Sequence, residues 1–205
     1  GIAEGLAAVH ACGIVHRNLE PRNVMLTGES GDEVKIIDFG RAKVDLKKVE
    51  RELEGDGDLE DLTLRTHILT STGIIEGTTA YLPPEAALGS AVLDARGDLY
   101  AFGVVLYEML AGRRLFKASG REETLRRVQE AVVPPIELDA IGAPPELGEV
   151  LRHALAKNRE DRFPSAGALA EELSQVLVAL RARVGPTELR EVLQRIAPPD
   201  DVRRV

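Results

Sequence analysis

The chain has 205 residues, of which 44% are hydrophobic and 29% are charged, so it can bury the core of a globular domain and wholesale disorder is excluded. Its 26 basic and 34 acidic residues give a net charge of −8, and only 3% of residues are aromatic, which argues against a surface for nucleic acid or anionic membranes. The single cysteine, Cys12, excludes an intramolecular disulfide and a multi-cysteine zinc site, and we expect it to be a small buried side chain.

No stretch of the sequence has the pattern of a signal peptide or of a membrane-spanning helix. The most apolar segment, residues 99–110, is too short to cross a bilayer and contains Glu108. These features predict a cytoplasmic protein.

The first forty residues predict a helix followed by a β-hairpin. Apolar residues recur at helical spacing over residues 3–11, and Gly13 ends that helix. Two short apolar strands, residues 24–26 and 34–37, are separated by turn-forming residues at 27–32, which is the pattern of an antiparallel hairpin. Such a hairpin brings the polar residues before its first strand close to those after its second strand.

The rest of the chain divides into a loop-like segment and a helical body. Residues 38–85 have no sustained core pattern, and residues 50–61 contain seven acidic residues and one arginine, which predicts a solvated mobile loop. Beyond it we predict a helix at 99–110 that is apolar on every face, and further helices at 122–131, 147–155 and 187–196. A long amphipathic helix capped by Ser165 has an apolar face made of Leu169, Leu173, Val176, Leu177, Leu180 and Val184.

Two polar side chains, Asn23 and Asp38, lie at the ends that the hairpin brings together. An amide oxygen and a carboxylate are hard oxygen donors, and the pair suits Mg²⁺ bound jointly with phosphate oxygens. The triplet Asp38-Phe39-Gly40 is a weak signal by itself. It becomes a strong signal when it is joined to the His-Arg pair that precedes Asn23 and to the Pro-Glu pair at 84–85.

Five motifs in the same order make the chain resemble the C-terminal lobe of eukaryotic-type Ser/Thr protein kinases of the kind found in bacteria. The motifs are the catalytic loop at 16–23, the magnesium-binding motif at 38–40, the end of the activation segment at 77–85, the start of the central helix at 98–103, and Arg162. The resemblance implies a mainly α fold of the α+β class, in which residues 1–184 form the kinase-like C-lobe with a small β-hairpin and a long activation segment at 38–85. Residues 185–205 would form a C-terminal helical extension.

The resemblance also implies roles for individual side chains. Mg²⁺ and ATP would bind near Asn23 and Asp38, and Thr78 would belong to the catalytic set. Three apolar side chains would lie beneath the adenine: Met25, Val105 and Met109. Ordinary core packing explains these three equally well. The residues with structural roles would be His16, Arg17, Phe39, Gly40, Asp98 and the ion-paired Glu85 and Arg162.

Two of these structural residues have alternative interpretations. Arg17 fits a dock for a phosphate on the hydroxyl-rich stretch 63–72, and it fits equally well an ion pair with the acidic loop. His16 fits a packed histidine beneath Phe39 better than a proton shuttle.

Two substitutions within the catalytic loop change the expected function. The family's catalytic Asp, which takes the proton of the substrate hydroxyl, is replaced by Asn18, and an amide is not a base near neutral pH. The Lys that faces the transferred phosphate is replaced by Glu20, so attraction of the phosphate becomes repulsion. The lost general base alone corresponds to about 10²–10⁴-fold in rate.

The sequence also contains no Gly-rich phosphate loop and no Val-Ala-x-Lys strand, so we expect a C-lobe without the N-lobe that roofs the ATP cleft. Met25, Leu26 and Phe39 would then line an exposed apolar patch. We expect self-association, a partner, or the segment 38–85 with its apolar residues at 68–69 and 74–75 to cover that patch.

Three functions remain open at this point. The first is an inactive kinase-like domain that acts as a regulatory or scaffolding module and binds a protein partner. The second is part of an active Ser/Thr kinase that transfers the γ-phosphoryl group of ATP to a protein substrate, with its N-lobe outside this chain. The third is a helical interaction domain that no longer uses nucleotide.

Overall fold

A computed structural model of the chain describes residues 1–28, 33–44, 79–89 and 94–179. Within these ranges the helices are α1 (Ile2–Ala11), α2 (Pro84–Ala87), α3 (Arg96–Ala111), α4 (Arg121–Glu130), α5 (Glu146–Ala154) and α6 (Ala166–Ala179). The strands are β1 (Ile14–Val15), β2 (Val24–Thr27), β3 (Glu33–Ile36) and β4 (Lys43–Val44). The acidic stretch 50–61, the hydroxyl-rich stretch 63–72, Thr78 and the predicted helix at 187–196 lie outside the described residues.

The predicted hairpin is present, with β2 antiparallel to β3 and Val24 opposite Ile36. Val24 and Ile36 pack against the core, whereas Met25 on the other side of β2 is exposed, as the alternation of a half-buried strand requires. Just beyond the hairpin, the Ile37 N–H donates to the Asn23 carbonyl oxygen at 2.9 Å. This bond holds the residue before Asp38 beside Asn23.

A second pair of strands was not predicted from the sequence. β1 pairs antiparallel with β4, with Ile14 opposite Val44 and Val15 opposite Lys43. Each strand has only two residues, which is too short for an alternation of apolar and polar side chains to be recognised. The pair fixes the chain on both sides of the loops that carry Asn18 and Asp38.

Helix α3 forms the centre of the core. Leu99, Tyr100, Val104 and Tyr107 are fully buried. An added Cβ at Gly103 would lie 2.9 Å from the Ala154 Cβ, so α3 and α5 pack at a separation that only glycine permits at this position.

The expectation that this helix is buried on every face is wrong at its last turn. Met109 is 72% exposed there, because its side chain borders an open groove formed with α1 and the hairpin.

Helix α6 begins as predicted, since the Ala168 N–H donates to the Ser165 hydroxyl at 3.1 Å. Leu169 and Val176 are buried, but Leu177 is exposed, so the core-facing stripe is narrower than the sequence pattern indicated. Residues Leu180 and Val184 lie outside the described part.

The structure also tests the predicted burial of the single cysteine and the predicted absence of a membrane-spanning helix. Cys12, expected to be buried, is exposed at the end of α1. None of the described helices is long and apolar enough to cross a membrane.

Candidate functional site

The backbone of the catalytic loop is hydrogen-bonded to the buried carboxylate of Asp98 in α3. Its two oxygens accept the His16 N–H at 2.8 Å and the Arg17 N–H at 2.7 Å, and one of them also contacts His10 Nε2 at 2.8 Å. Arg17 has a φ of 62°, a conformation that a side chain with a Cβ rarely adopts. The charged acceptor stabilises the turn that this strained residue makes.

The imidazole of His16 is fully buried and has both nitrogens engaged. Its Nδ1 accepts the Asn18 N–H at 3.2 Å, which requires the ring proton on Nε2, and Nε2 donates to the Ile37 carbonyl at 3.0 Å. The ring also meets the Phe39 ring edge-to-face with the centroids 4.7 Å apart. These contacts give His16 a structural role between the two loops.

Asn18 joins the catalytic loop to Asp38. Its side-chain amide donates to Asp38 Oδ2 at 2.9 Å, and its backbone carbonyl accepts the Asn23 side-chain amide at 2.7 Å. The Asn18 amide oxygen is buried and has no hydrogen-bond partner in the part of the chain that the structure describes. The side chain therefore keeps one unsatisfied acceptor beside the Asp38 carboxylate.

Asp38 itself has a φ of 63°, and it is the N-cap of a short turn over Phe39–Arg41. An added Cβ on Gly40 would lie 3.2 Å from Asp38 Oδ1, so glycine leaves room for the carboxylate. Asp38 is exposed, with Oδ2 bound to Asn18.

Glu20 is almost completely buried and is neutralised within the same loop. Arg22 binds Glu20 Oε1 through Nε at 2.7 Å and through Nη2 at 2.6 Å, across the turn that begins at Pro21. The expectation that Glu20 simply repels phosphate is therefore incomplete, because Arg22 stands beside it. The sequence analysis missed this role of Arg22, although opposite charges two residues apart across a proline were a visible signal.

Asn23 and Asp38 have the chemistry of a magnesium site. The Asn23 amide nitrogen is committed to the Asn18 carbonyl, which leaves the amide oxygen as the ligand atom, and the Asp38 carboxylate has a second oxygen beyond the one that binds Asn18. Mg²⁺ commonly takes one or two such protein ligands and completes its shell with water and phosphate. Across the described residues no group of three or more His, Cys, Asp and Glu side chains forms a metal cluster.

Glu85 at the start of α2 and Arg162 before α6 form a bidentate ion pair. The two guanidinium nitrogens Nη1 and Nη2 lie 2.8 and 2.7 Å from the two carboxylate oxygens. Arg162 is fully buried, also donates to the carbonyls of Ala156, Arg96 and Lys157, and lies over the Tyr100 ring at 4.7 Å. Burial raises the pKa of Tyr100 well above its ordinary value.

Arg17 is half-buried and lines a small cavity together with residues 81–83. Burial lowers the pKa of Arg17, while the charge of Asp98 opposes the shift. Its Nε is buried and has no hydrogen-bond partner among the described residues. The two partners predicted for Arg17, the hydroxyl-rich stretch 63–72 and the acidic stretch 50–61, lie outside the described residues.

A second link that sequence analysis missed joins Tyr81 to α3. The Tyr81 hydroxyl donates to Glu108 Oε2 at 2.8 Å, and Glu108 also accepts Arg114 Nη1 at 2.9 Å and the Leu115 N–H at 3.1 Å. Burial raises the pKa of Glu108, and the bond from Leu115 opposes that shift. The partners are far apart in sequence, so no local pattern reveals them.

The apolar patch predicted at the hairpin is exposed. Met25 is 46%, Leu26 is 44% and Phe39 is 38% accessible. Next to it a groove of about 720 Å³ is lined by Ile2, Val24, Leu26, Val34, Val105 and Met109. The proposed adenine-side residues thus differ in environment, since Val105 is buried while Met25 and Met109 are open to solvent.

Comparison with known proteins gives one family and several bacterial relatives. The family model of the protein kinase domain matches residues 1–175. Serine/threonine-protein kinase Pkn1 of Myxococcus xanthus is 37% identical over 191 residues, which cover 92% of this chain and 25% of that protein. The probable serine/threonine-protein kinase CA_C1728 of Clostridium acetobutylicum is 35% identical over 176 residues, covering 85% of this chain and 23% of that protein.

Two more matches extend this set. Serine/threonine-protein kinase PknL of Mycobacterium tuberculosis is 34% identical over 173 residues, covering 84% of this chain and 38% of that protein. The solved twitchin kinase region of C. elegans aligns with a TM-score of 0.65 at 23% identity, over 95% of this chain and 31% of that one, which shows a common fold. The chain spans about a quarter to two fifths of the length of these curated relatives.

Proposed function

The chain belongs to the protein kinase domain family, and on that premise we propose that it is a regulatory or scaffolding domain that does not transfer phosphate. The observation that carries the proposal is Asn18, whose amide donates to Asp38 Oδ2 at 2.9 Å where the family has its catalytic Asp. An amide takes no proton near neutral pH, so a substrate hydroxyl at this position keeps its proton. The missing base corresponds to about 10²–10⁴-fold in rate.

The second substitution acts in the same direction. The Lys that would face the transferred phosphate is replaced by Glu20, and the nearby Arg22 is used to neutralise that buried carboxylate. The pair carries no net charge, so it supplies none of the positive potential that stabilises a phosphoryl group during transfer.

We propose that any Mg²⁺–nucleotide bound here is held by the Asn23 amide oxygen and the Asp38 carboxylate. Mg²⁺ would supply charge neutralisation for the phosphates. Asn18 would keep Asp38 oriented through its hydrogen bond. Met25 would contact the adenine ring of the nucleotide. Binding is expected to be weak, because only Asn23, Asp38 and Met25 among the described residues are assigned to the nucleotide, and association has its own entropic cost.

We also propose that residues 1–184 correspond to the C-terminal lobe of the kinase fold and that Thr78, at the end of the activation segment, belongs to the catalytic set. The exposed patch at Met25, Leu26 and Phe39 supports a contact with other protein, whether a partner or a second copy. The cytoplasmic location stays a prediction from the sequence.

A second candidate is a catalytically competent Ser/Thr kinase of which this chain is one part. The identity of 37% to a protein named as a serine/threonine-protein kinase favours it. In that case Asn18 would only orient the hydroxyl, and transfer would proceed without a protein base.

Phosphoryl transfer from radiolabelled ATP separates the two candidates. The natural protein that contains this chain is compared with its Asn18→Asp variant, its Asn18→Asp/Glu20→Lys variant and Asp38→Ala. We expect background transfer for the natural protein and a gain for the double variant, because that variant restores the base and the phosphate-facing cation. Transfer by the natural protein that Asp38→Ala abolishes would overturn the proposal and leave the second candidate.

A further inference from the structure

An apolar pocket lies between helix α3, helix α5 and the stretch that joins α4 to α5. Its volume is about 440 Å³, within the range of about 300–1,000 Å³ that small-molecule sites occupy. The apolar side chains that form most of its lining include Val133, Pro134, Ile136, Leu138, Leu151 and Leu155. All of its lining residues lie between positions 107 and 155, and none of them is assigned above to the catalytic loop, to Mg²⁺ or to the nucleotide. The pocket is therefore separate from the candidate functional site.

The walls of the pocket are fixed by the core and by two prolines. Leu151 and Leu155 on α5 belong to the buried core, and Val133 and Ile136 pack against that core. Between the latter two, residues 134–135 are both proline, and the ring of each proline fixes its own φ angle. A ligand that enters such a pocket orders few protein groups, so little of its binding free energy is lost to conformational entropy.

A glycine keeps the α5 wall open. A Cβ added at Gly148 would lie 3.4 Å from Leu138 Cδ1, which is already van der Waals contact. Both residues line the pocket, so a longer side chain at position 148 would occupy part of its volume.

A buried hydroxyl on the α3 wall has no partner. Tyr107 lines the pocket and is fully buried, and its hydroxyl makes no hydrogen bond within the part of the chain that the structure describes. A buried polar group without a partner costs free energy, which a ligand that supplies a partner recovers. The hydroxyl distinguishes the pocket from an ordinary packing void, because voids that stay empty are lined by apolar groups.

A cation lies on the α5 wall of the same pocket. Arg152 is exposed there, and its Nε and Nη2 each lie 2.8 Å from Glu149 Oε2, while Nη2 also lies 2.7 Å from His153 Nε2. These contacts hold the guanidinium group from one side, and Nη1 has no partner among the described residues. Glu149 and His153 are not part of the lining. Arg152 Nη1 is therefore available to an anionic group of a ligand.

We propose that this pocket binds a small apolar carboxylate, such as an aromatic acid, with the carboxylate received by Arg152 and the apolar body packed between α3 and α5. A polar atom on the apolar body of the ligand would complete the hydrogen bonding of Tyr107. The inference goes beyond the proposed function and does not depend on it, because the lining contains none of the residues assigned to catalysis or to the nucleotide.

Titration calorimetry with cinnamate tests the proposal, and cinnamamide, which has the same shape without the charge, serves as the neutral probe. The natural protein that contains this chain is compared with Gly148→Leu, which reduces the pocket. Gly167→Leu is the matched control, because it adds the same side chain at an exposed glycine of α6 outside the pocket. Circular dichroism melting verifies that each variant is folded.

We expect cinnamate to bind at least about threefold more tightly than cinnamamide, because only the carboxylate attracts the guanidinium group. Arg152→Gln should remove that difference, while Arg126→Gln, at an exposed arginine outside the pocket, should preserve it. Gly148→Leu should weaken the binding of both probes at least about tenfold, and Gly167→Leu should leave both within about twofold.

A third probe, para-hydroxycinnamate, tests the buried hydroxyl. We expect it to bind at least about threefold more tightly than cinnamate, since its phenolic oxygen supplies the partner that Tyr107 lacks. Tyr107→Phe should abolish this advantage without lowering the melting temperature. An advantage that survives in Tyr107→Phe would overturn the role of Tyr107.

The absence of cinnamate binding, equal binding of cinnamate and cinnamamide, or equal losses in Gly148→Leu and Gly167→Leu would overturn the pocket proposal. If Gly148→Leu does not fold, Arg152→Gln decides the question, because it changes only an exposed side chain. None of these results affects the proposed function. Phosphoryl transfer that depends on Asp38 would overturn the proposed function and leave the pocket proposal standing.

Discussion

The residues that support the catalytic loop and the residues at its catalytic positions differ in how their charges are paired. The supporting residues are Asp98, Glu85 and Arg162, and we call them the support. Asp98 accepts two backbone N–H hydrogen bonds, and Arg162 donates two hydrogen bonds to Glu85. The catalytic positions are Asn18 and Glu20, and we call them the catalytic face. An amide replaces the expected carboxylate at Asn18, and a buried acid replaces the expected Lys at Glu20.

The difference separates folding from chemistry. Removing a partner from the support leaves a buried charge or a buried N–H unsatisfied, so those residues are required for stability. Asn18, by contrast, occupies a position that the family uses for chemistry, and the loop backbone around it is held by His16 and Asp98. On the proposed function, the catalytic positions have changed while the supporting contacts that fold the domain are present.

The largest effect is expected for the support. Arg162→Ala removes a fully buried guanidinium, leaves Glu85 without its partner and empties the space over the Tyr100 ring, so unfolding should become easier by about 3–5 kcal/mol. Urea denaturation followed by circular dichroism measures the loss.

Arg159→Ala is the matched control for that prediction. Arg159 is partly exposed and pairs with Asp94 and Glu160 at 3.6 and 3.3 Å, so its removal should cost less than about 1 kcal/mol. Similar losses in the two variants would mean that the buried pair contributes no more than a surface pair.

A smaller effect is expected from Asp98→Asn, which keeps the shape of the side chain but removes its charge. The new amide nitrogen would face a backbone N–H of His16 or Arg17, so one bond to a charged acceptor is lost at a cost of about 1.5–3 kcal/mol. Hydrogen exchange of these two amides should accelerate, and Asp94→Asn should leave it unchanged. Protected amides in Asp98→Asn would show that β1 and β4 alone hold the loop.

On the catalytic face, Asn18→Asp should be destabilising in the absence of metal. The introduced carboxylate would meet Asp38 Oδ2 at hydrogen-bond distance, and like charges at that separation repel by about 1–2 kcal/mol at a partly exposed site. Mg²⁺ should recover the loss if Asn23 and Asp38 hold the cation. Melting curves with and without Mg²⁺ measure this, and Asn158→Asp, at an exposed turn, should show no response to the metal. A variant that Mg²⁺ leaves unchanged would argue against the site.

Much of the support could be predicted from sequence, because its residues belong to motifs whose order is distinctive. The hairpin between residues 24 and 36 followed from two apolar runs separated by turn formers, and the closeness of Asn23 to the end of β3 followed from the hairpin. The kinase-like fold followed from the order of the motifs, and the twitchin kinase region supports it.

The features that were missed depend on distances that no local pattern encodes. The neutralisation of Glu20 by Arg22 needs the turn after Pro21, and the bond from Tyr81 to Glu108 joins residues that lie 27 positions apart. Met109 has the spacing of a core residue, yet the groove beside it is open. Burial of a helix face is set by what packs against it, and the sequence of the helix does not contain that information.

The smallest effect concerns Glu108 near the end of α3, which accepts hydrogen bonds from Tyr81 and from Arg114. Burial raises the pKa of Glu108. A carboxyl group whose pKa is higher in the folded protein than in the unfolded chain stabilises the fold most fully below the unfolded pKa. That stability is lost as the pH rises through the pKa of the folded protein. Glu108→Gln removes that dependence and keeps an acceptor for Tyr81. The stability of the natural protein relative to this variant should therefore fall between about pH 4 and the raised value and then level off. Thermal melts at a series of pH values measure it, with Glu149→Gln at an exposed position as the control. A relative stability that instead rises with pH would mean that attraction by Arg114 outweighs the cost of burying the carboxylate.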